Sequence, residues 1–294
     1  ASLAQTLYTL PVTVLLRGSL GAGKTTFVQG LAKGLGITDA VTSPTYALEQ
    51  RYQGTHPLIH IDLYRLDNEK AHQLLAATEE HQGIRCIEWA ERIDRTILSK
   101  DHALIDITIE EIEHGRQLTC EFSDIALPER KDILQWRKDE QLPAHIANHC
   151  DAVGAFAEQL AHELNKRGTL VRPRTLYLGG LVHDLFRFVD FRASATPDFV
   201  QTEEQRKVWE TWKKKYPNMK HEPVCTTFLR EQGYPELGTI VETHGLPIPP
   251  VPRDTIEQKI LYYADKRVRE DEVVTLKERF DDFKRRYTAG KTSP

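Results

Sequence analysis

The chain has 294 residues, 40% of them hydrophobic and 28% charged, with a net charge of −4. That composition excludes disordered, collagen-like and disulfide-scaffold chains, and the length leaves room for two domains that each bury a core. Charge is unevenly divided: 11 basic against 17 acidic residues through Asp124, then 28 against 26, from totals of 39 and 43. An acidic first half is not suited to hold tRNA or DNA by phosphate neutralisation alone.

The start, Ala1-Ser2-Leu3-Ala4-Gln5-Thr6-Leu7, lacks the basic flank and long apolar core of a signal peptide, and without an initiator Met it leaves room for residues upstream. No stretch approaches the roughly 18 unbroken apolar residues of a transmembrane helix. The four cysteines, Cys86, Cys120, Cys150 and Cys225, form no C-x-x-C pair, which speaks against a zinc ribbon or a redox motif and for a reducing cytoplasm.

Val12-Thr13-Val14-Leu15-Leu16 predicts a strand, Gly18-Ser19-Leu20-Gly21-Ala22-Gly23-Lys24-Thr25 a glycine-rich loop, and Phe27-Val28-Gln29-Gly30-Leu31-Ala32 a helix. In that context G-x-x-x-x-G-K-[ST] is a P-loop, whose backbone N–H groups and helix N-terminus surround phosphate oxygens. Lys24 is placed to reach the β- and γ-phosphates, and Thr25, followed by Thr26, to bind magnesium. Lys33-Gly34-Leu35-Gly36 stops the helix. The turn Thr42-Ser43-Pro44-Thr45 lies where P-loop enzymes keep a loop that senses the γ-phosphate, and also reads as the polar entry to a strand. Leu58–Leu66 alternates as a strand with Asp62 in its middle, and Arg85-Cys86-Ile87-Glu88 is a short strand ending in a carboxylate. A carboxylate at a strand end beside a P-loop commonly holds magnesium or orients the attacking water.

The order GSLGAGKTTF, TSPTYAL, HIDLYRL and IEWAER resembles the TsaE family, the small P-loop ATPase of bacterial threonylcarbamoyladenosine tRNA modification, over about residues 1–123. The resemblance implies an α/β P-loop domain with a mixed central sheet and a weak ATPase coupled to the TsaB and TsaD proteins. It implies that Gly18, Ser19, Leu20, Gly21, Ala22, Gly23, Lys24, Thr25 and Thr26 bind ATP. By the same resemblance Thr45 is a switch residue, Thr25 binds magnesium, and Asp62 and Glu88 serve the metal or the attacking water. Trp89 is placed to contact the nucleotide or a partner. The seventeen residues before the P-loop are fewer than such chains usually carry, so the base side of the nucleotide is less covered than the phosphate side.

From Ser123 to Pro143 the sequence turns polar between Pro128 and Pro143, which suggests a linker over 124–143 holding one short helix with Ile133, Leu134 and Trp136 docked on a neighbour.

Beyond it, His149, Val153, Phe156, Ala157, Leu160 and Leu164 fall on one helical face. A second apolar helix carries Gly179-Gly180, suited to close backbone approach, and then His183-Asp184, where an ionised Asp needs a cation or donors. His221, His244 and Asp265 each add a ligand from a helical context. Imidazole and carboxylate without thiolate suit manganese, iron, cobalt, nickel or catalytic zinc. His149, His183, Asp184 and Asp265 form one site, and His221 and His244 supply a second with Asp184 as bridge. Two metals roughly 3.5–4 Å apart would clamp a phosphoryl group and activate water.

This spacing is similar to the HD superfamily of metal-dependent phosphohydrolases, in the order H…HD…H…H…D, over about residues 140–275. It implies an all-α HD domain over 144–294. Arg187, one turn after Asp184, is placed to pair a substrate phosphate, and stands where deoxynucleotidases of the superfamily carry Glu; His145 is a further candidate contact. Leu246–Pro252 reads as a stiff rim, the run from Lys266 to Arg286 as an amphipathic helix, and 289–294 as frayed.

The expectation is a bifunctional enzyme: an ATP·Mg-binding component of the tRNA modification, with catalytic Asp62 and Glu88, fused to a nucleotide phosphatase with catalytic Asp184 and Arg187. Because the family's chemistry releases AMP, the leading substrate is AMP or a related 5′-nucleotide. A phosphodiesterase acting on cyclic nucleotides or dinucleotides, and a non-hydrolysing nucleotide sensor, are the alternatives.

Overall fold

Three short, almost wholly buried stretches become interior strands of one sheet: β1 (Val12–Arg17), β3 (Leu58–Asp62) and β4 (Ile84–Glu88). The computed structural model describes residues 3–98, 103–191, 201–246 and 249–288. The chain divides into two units, Ala1–Ile125 and Ala126–Pro294.

In the first unit, β2 (Glu49–Tyr52), β5 (Ala103–Ile112) and β6 (Gly115–Ser123) complete a sheet ordered β2-β3-β4-β1-β5-β6. β3, β4, β1 and β5 run parallel, whereas β2 and β6 pair antiparallel at the two edges. Parallel strands covered on both faces require apolar residues at successive positions, which is why β1 lacks alternation. The polar strand β6 is exposed along most of its length, as an edge must be. Helix α1 (Lys24–Gly34) follows β1 directly. Helix α2 (Asn68–Ala77) is capped by Asp67, whose Oδ1 accepts from Lys70 N at 2.9 Å. The register sets Leu16 and Asp62 on either side of Glu88, so two carboxylates and the P-loop share the C-terminal edge of the parallel strands.

The second unit is mostly helical: α3 (Arg130–Asp139), α4 (Ala144–Lys166), α5 (Pro173–Val182), α6 (Glu203–Lys215), α7 (His221–Glu231), α8 (Pro235–Glu242), α9 (Ile256–Arg267) and α10 (Leu276–Thr288). α4 and α5 touch through glycine: a Cβ on Gly180 would lie 2.3 Å from Gly154 Cα. The neighbouring Gly179 would meet only ordinary contacts, at 3.6 Å and beyond. An aromatic cluster of Phe186, Phe188, Trp209, Trp212 and Phe228 fills the space between α6, α7 and the turn after α5.

Two segments differ from what their composition suggests. Most of 124–143 belongs to the second unit, because α3 docks there: Ile133 is fully buried, Trp136 packs edge-on against Phe228 at 5.2 Å, and Leu134 faces solvent. The run from Lys266 to Arg286 is not one helix. α9 ends at Arg267, the short strands β7 (Val268–Arg269) and β8 (Glu272–Val273) turn through Glu270 at φ 58°, and α10 begins afterwards. The β-branched Val268 and Val273 pair across this hairpin, and a left-handed residue cannot continue a helix. Of the proline-rich rim, Pro247 and Ile248 lie outside the described residues, as do residues 289–294. Among the described residues no helix is long and apolar enough to cross a membrane, and all four cysteines are free.

Candidate functional sites

The glycines of the loop after β1 adopt left-handed or extended-positive backbone: Gly18 at φ 140°, Gly21 at 81° and Gly23 at 108°. Gly18 has a second reason to lack a side chain, since its Cβ would lie 2.3 Å from Ile109 O. The loop closes around Lys24, whose Nζ donates to Gly18 O at 2.6 Å and Ser19 O at 2.9 Å. The same ammonium stands 3.6 Å from the centre of the Trp89 ring. Burial lowers the Lys24 pKa, against the opposing pull of Glu91, Glu88 and Asp62. Trp89 is itself left-handed at φ 62°, and its indole packs on Tyr64 at 4.7 Å.

Thr25 Oγ1 donates to Glu88 Oε1 at 2.8 Å, and His60 Nε2 lies 2.7 Å from that same oxygen. The hydroxyl-rich turn closes on the other carboxylate: Thr45 Oγ1 donates to Asp62 Oδ2 at 2.5 Å and Ser43 Oγ at 3.2 Å, while Tyr64 N donates to Asp62 Oδ1 at 2.8 Å. Thr45 and Asp62 therefore meet although 17 residues separate them. A cavity of about 280 Å³ is lined by Leu20, Gly21, Gly23, Lys24, Thr25, Thr26, Ser43, Thr45, Asp62, Tyr64, Glu88 and Trp89. Ser19 reaches Lys24 through its carbonyl, and Gly18, Ser19 and Ala22 belong to the loop without lining the cavity. One ammonium, a glycine-rich loop at a helix N-terminus and two carboxylates around one cavity are the chemistry that suits a nucleoside triphosphate and its magnesium. Sequence reasoning gave no role to His60, Tyr64 or Arg116. Arg116, on β6, donates to the loop carbonyls of Ala22 at 3.0 Å and Gly21 at 3.4 Å.

In the second unit the six expected ligands come together from five helices. His149 stands on α4; His183 caps α5, with Asp184 in the turn after it; His221 opens α7; His244 follows α8; Asp265 lies on α9. They form two sets. His149 Nε2 lies 3.2 Å from Asp265 Oδ1, and His183 Nε2 lies 3.9 Å from that oxygen and 3.8 Å from Asp184 Oδ2. On the other side, Asp184 Oδ1 lies 2.9 Å from His221 Nε2 and 3.4 Å from His244 Nε2. The two oxygens of Asp184 thus face different sets.

The donors fit divalent metal. His183 Nδ1 donates to Gly180 O at 2.8 Å, which leaves Nε2 as the lone-pair nitrogen, and Nε2 is buried without a hydrogen-bond partner. Burial pushes the His183 pKa down to about 3, so the imidazole is neutral and ready to ligate. Burial would raise both aspartates, yet the charge of His221 and the hydrogen bonds of His221 and His244 hold Asp184 well below the usual carboxylate range, and Lys266 and the His149 hydrogen bond do the same for Asp265. Burial lowers the His221 pKa, but Asp184 on one nitrogen and Asp190 on the other, at 2.6 Å, lift it to about 9, so a cation ligated at Nε2 takes the place of the proton there. Imidazole nitrogens and ionised carboxylates converging this closely are the donor set that a divalent transition cation takes.

Arg187 Nη1 lies 3.1 Å from His221 Nδ1 and 3.5 Å from Asp190 Oδ2, and lines the same cavity of about 690 Å³ as Lys220, Lys266 and Arg279. His145 lines an adjoining recess with His149, Asp184 and Arg187. Glu222 and Asp190, beside His221, were not singled out by the sequence.

Residues 1–118 match the family described as threonylcarbamoyl adenosine biosynthesis protein TsaE, and residues 146–270 match the HD domain. A curated tRNA threonylcarbamoyladenosine biosynthesis protein TsaE from a Nostoc species is 49% identical over 86 residues, 27% of this chain and 53% of that protein. The protein of the same name from Streptomyces coelicolor is 37% identical over 112 residues, 34% of this chain and 75% of that protein. The crystal structure of YdiB from Bacillus subtilis is 30% identical and covers 40% of this chain and 73% of its own, with a TM-score of 0.32. The chain spans about half the length of curated relatives such as the Nostoc protein.

Proposed function

The chain belongs to the TsaE family and carries an HD domain behind it. From that premise we propose that it is a bifunctional cytoplasmic enzyme. The first unit binds and hydrolyses ATP·Mg as a component of threonylcarbamoyladenosine formation on tRNA, acting with TsaB and TsaD homologues. Lys24 and the loop from Gly18 to Thr26 hold the phosphates, Thr25 with Asp62 and Glu88 holds magnesium and orients water, and Thr45 senses the γ-phosphate through Asp62. Trp89 borders the nucleotide from beneath Lys24. The single observation that supports this most is that Lys24, Thr25, Asp62 and Glu88 line one cavity at the sheet's C-terminal edge.

The second unit, in the same reading, is a metal-dependent phosphohydrolase that removes the 5′-phosphate of AMP or a related nucleotide. One or two divalent ions such as manganese, cobalt, iron, nickel or zinc would be held by His149, His183, Asp184, His221, His244 and Asp265. When bound, such ions polarise the phosphoryl group and lower the pKa of water. Asp184 positions both sets of imidazoles, and Arg187 pairs the substrate phosphate at the mouth. The release of AMP by the family's own chemistry makes a fused nucleotidase useful, and supports AMP above cyclic or dinucleotide substrates.

The test uses the intact chain, metal-analysed, with Lys24→Ala and Asp184→Ala, on ATP, 5′-mononucleotides, cyclic nucleotides and dinucleotides. Loss of ATP turnover only in Lys24→Ala and of AMP turnover only in Asp184→Ala is the expected result. AMP left untouched while a phosphodiester is cleaved would replace the nucleotidase with a phosphodiesterase, and stoichiometric binding without phosphate release would make the unit a sensor.

A further inference from the structure

Glu222 is the one carboxylate at the second set of donors that the reading above leaves idle. Its side chain is 16% exposed and its Oε2 is buried without a hydrogen-bond partner. His221 Nδ1 lies 3.3 Å from it, but that nitrogen is engaged by Asp190 Oδ2 at 2.6 Å. A buried carboxylate oxygen with no donor costs on the order of 1–3 kcal/mol, and more when ionised. Something must offset that cost.

The neighbours point to a cation. His244 Nδ1 faces Val241 O at 2.5 Å, so its lone pair is on Nε2, which stands only 3.0 Å from His221 Nε2. One ligand atom each from His221, Glu222 and His244 lie within 4.8 Å of one another. Donors to a single transition ion, each about 2.0–2.2 Å from it, stand roughly 3–4 Å apart, so closing around an ion asks for little movement. The backbone is also cut to fit: a Cβ on Gly245 would lie 1.8 Å from Glu222 Oε1. Any larger residue at 245 displaces the carboxylate from its place beside the two imidazoles.

We propose that Glu222 is a direct metal ligand, joining His221, His244 and the facing oxygen of Asp184 at a position for a divalent transition ion beside the one held by His149, His183 and Asp265. This rests on the reading of the second unit as metal-dependent, and it assigns that unit two ions, with Asp184 between them. A carboxylate here also lowers the net charge of the pair of ions and leaves open coordination positions toward the cavity.

The test counts metal on the intact chain without nucleotide, by equilibrium dialysis with cobalt(II) and by its visible absorption. The unsubstituted chain is expected to bind two ions, and Glu222→Gln and Gly245→Ala one each. In both, the absorption that Asp265→Asn removes should persist. Glu242→Gln, a cavity-lining acid 43% exposed and outside the donor sets, should keep two. Circular dichroism identifies folded variants. Retention of two ions by either folded variant, or only one in the unsubstituted chain, overturns the proposal. A failed hydrolase reading looks different: phosphate release that survives Asp184→Asn removes it without changing what the metal count says about Glu222.

Discussion

Thr25 Oγ1 donates to Glu88 Oε1 at 2.8 Å, joining the first turn of α1 to the end of β4 across 63 residues of chain. His60 Nε2 reaches the same oxygen at 2.7 Å, so the carboxylate is fixed from two sides before any nucleotide arrives. Glu88→Gln keeps the shape and removes the charge. ATP turnover is expected to fall about 10²–10⁴-fold, the usual loss for a positioned acid–base or water-orienting group, while nucleotide affinity measured by calorimetry changes far less. Equal loss of both would assign Glu88 to binding alone.

Arg116 touches the P-loop without lining its cavity, through Ala22 O at 3.0 Å, and is tied by Nη1 to Glu111 at 3.2 Å. These bonds tie the loop to β6. Arg116→Ala is expected to raise KM for ATP several-fold and leave kcat within about twofold, because uniform binding is lost without a change at the reacting atoms. A fall in kcat with KM unchanged would place Arg116 at the phosphates instead.

What could be read in the sequence was the chemistry that is local in the chain. Gly18 to Thr25 spell their loop in eight consecutive residues, and Asp62 and Glu88 stand out as acids in otherwise apolar strands. His60 does not stand out, because its partner is set by register: it pairs with Cys86, and Glu88 follows two residues later on the same face. The six candidate donors of the HD unit could be picked out by their order, and the fold brings them together, yet Glu222 reads as an ordinary helical acid, since its inward position depends on the missing side chain at Gly245. Arg137 is hidden in the sequence for a similar reason. A charged residue in a polar stretch suggests solvent, but its guanidinium is buried, donating to Leu181 O at 2.6 Å and Asp151 at 2.8 Å, which is what draws α3 onto the second unit.

Gly180→Ala tests the packing that brings α4 and α5 together. The added methyl would lie 2.3 Å from Gly154 Cα and 2.5 Å from Gly154 N, contacts with backbone that cannot rotate away. Overpacking of this kind costs about 1–3 kcal/mol or more. The thermal midpoint of the second unit should fall by several degrees, with loss of cobalt binding at His149 and His183, whereas Gly179→Ala, with 3.6 Å to its nearest neighbour, should be much milder. Equal effects would mean that the helices separate without penalty.

Glu140 gives the second unit a pH dependence away from either site. It follows α3, and burial lifts its pKa from 4.5 to about 7, with the Trp212 side chain and Lys215 pulling the other way. One carboxylate oxygen, Oε2, is buried without a partner. Between pH 4.5 and 7 the folded chain therefore binds more protons at this group than the unfolded chain does. Stability must fall as pH rises through that window, the penalty being absent below 4.5 and fully present above 7. Glu140→Gln cannot ionise, so the variant should be more stable than the parent at pH 8, by a margin that shrinks through the window and vanishes near pH 4. Urea midpoints for both proteins, followed across that range, give the comparison. A difference independent of pH would show that Glu140 is solvated when ionised and that burial does not govern it.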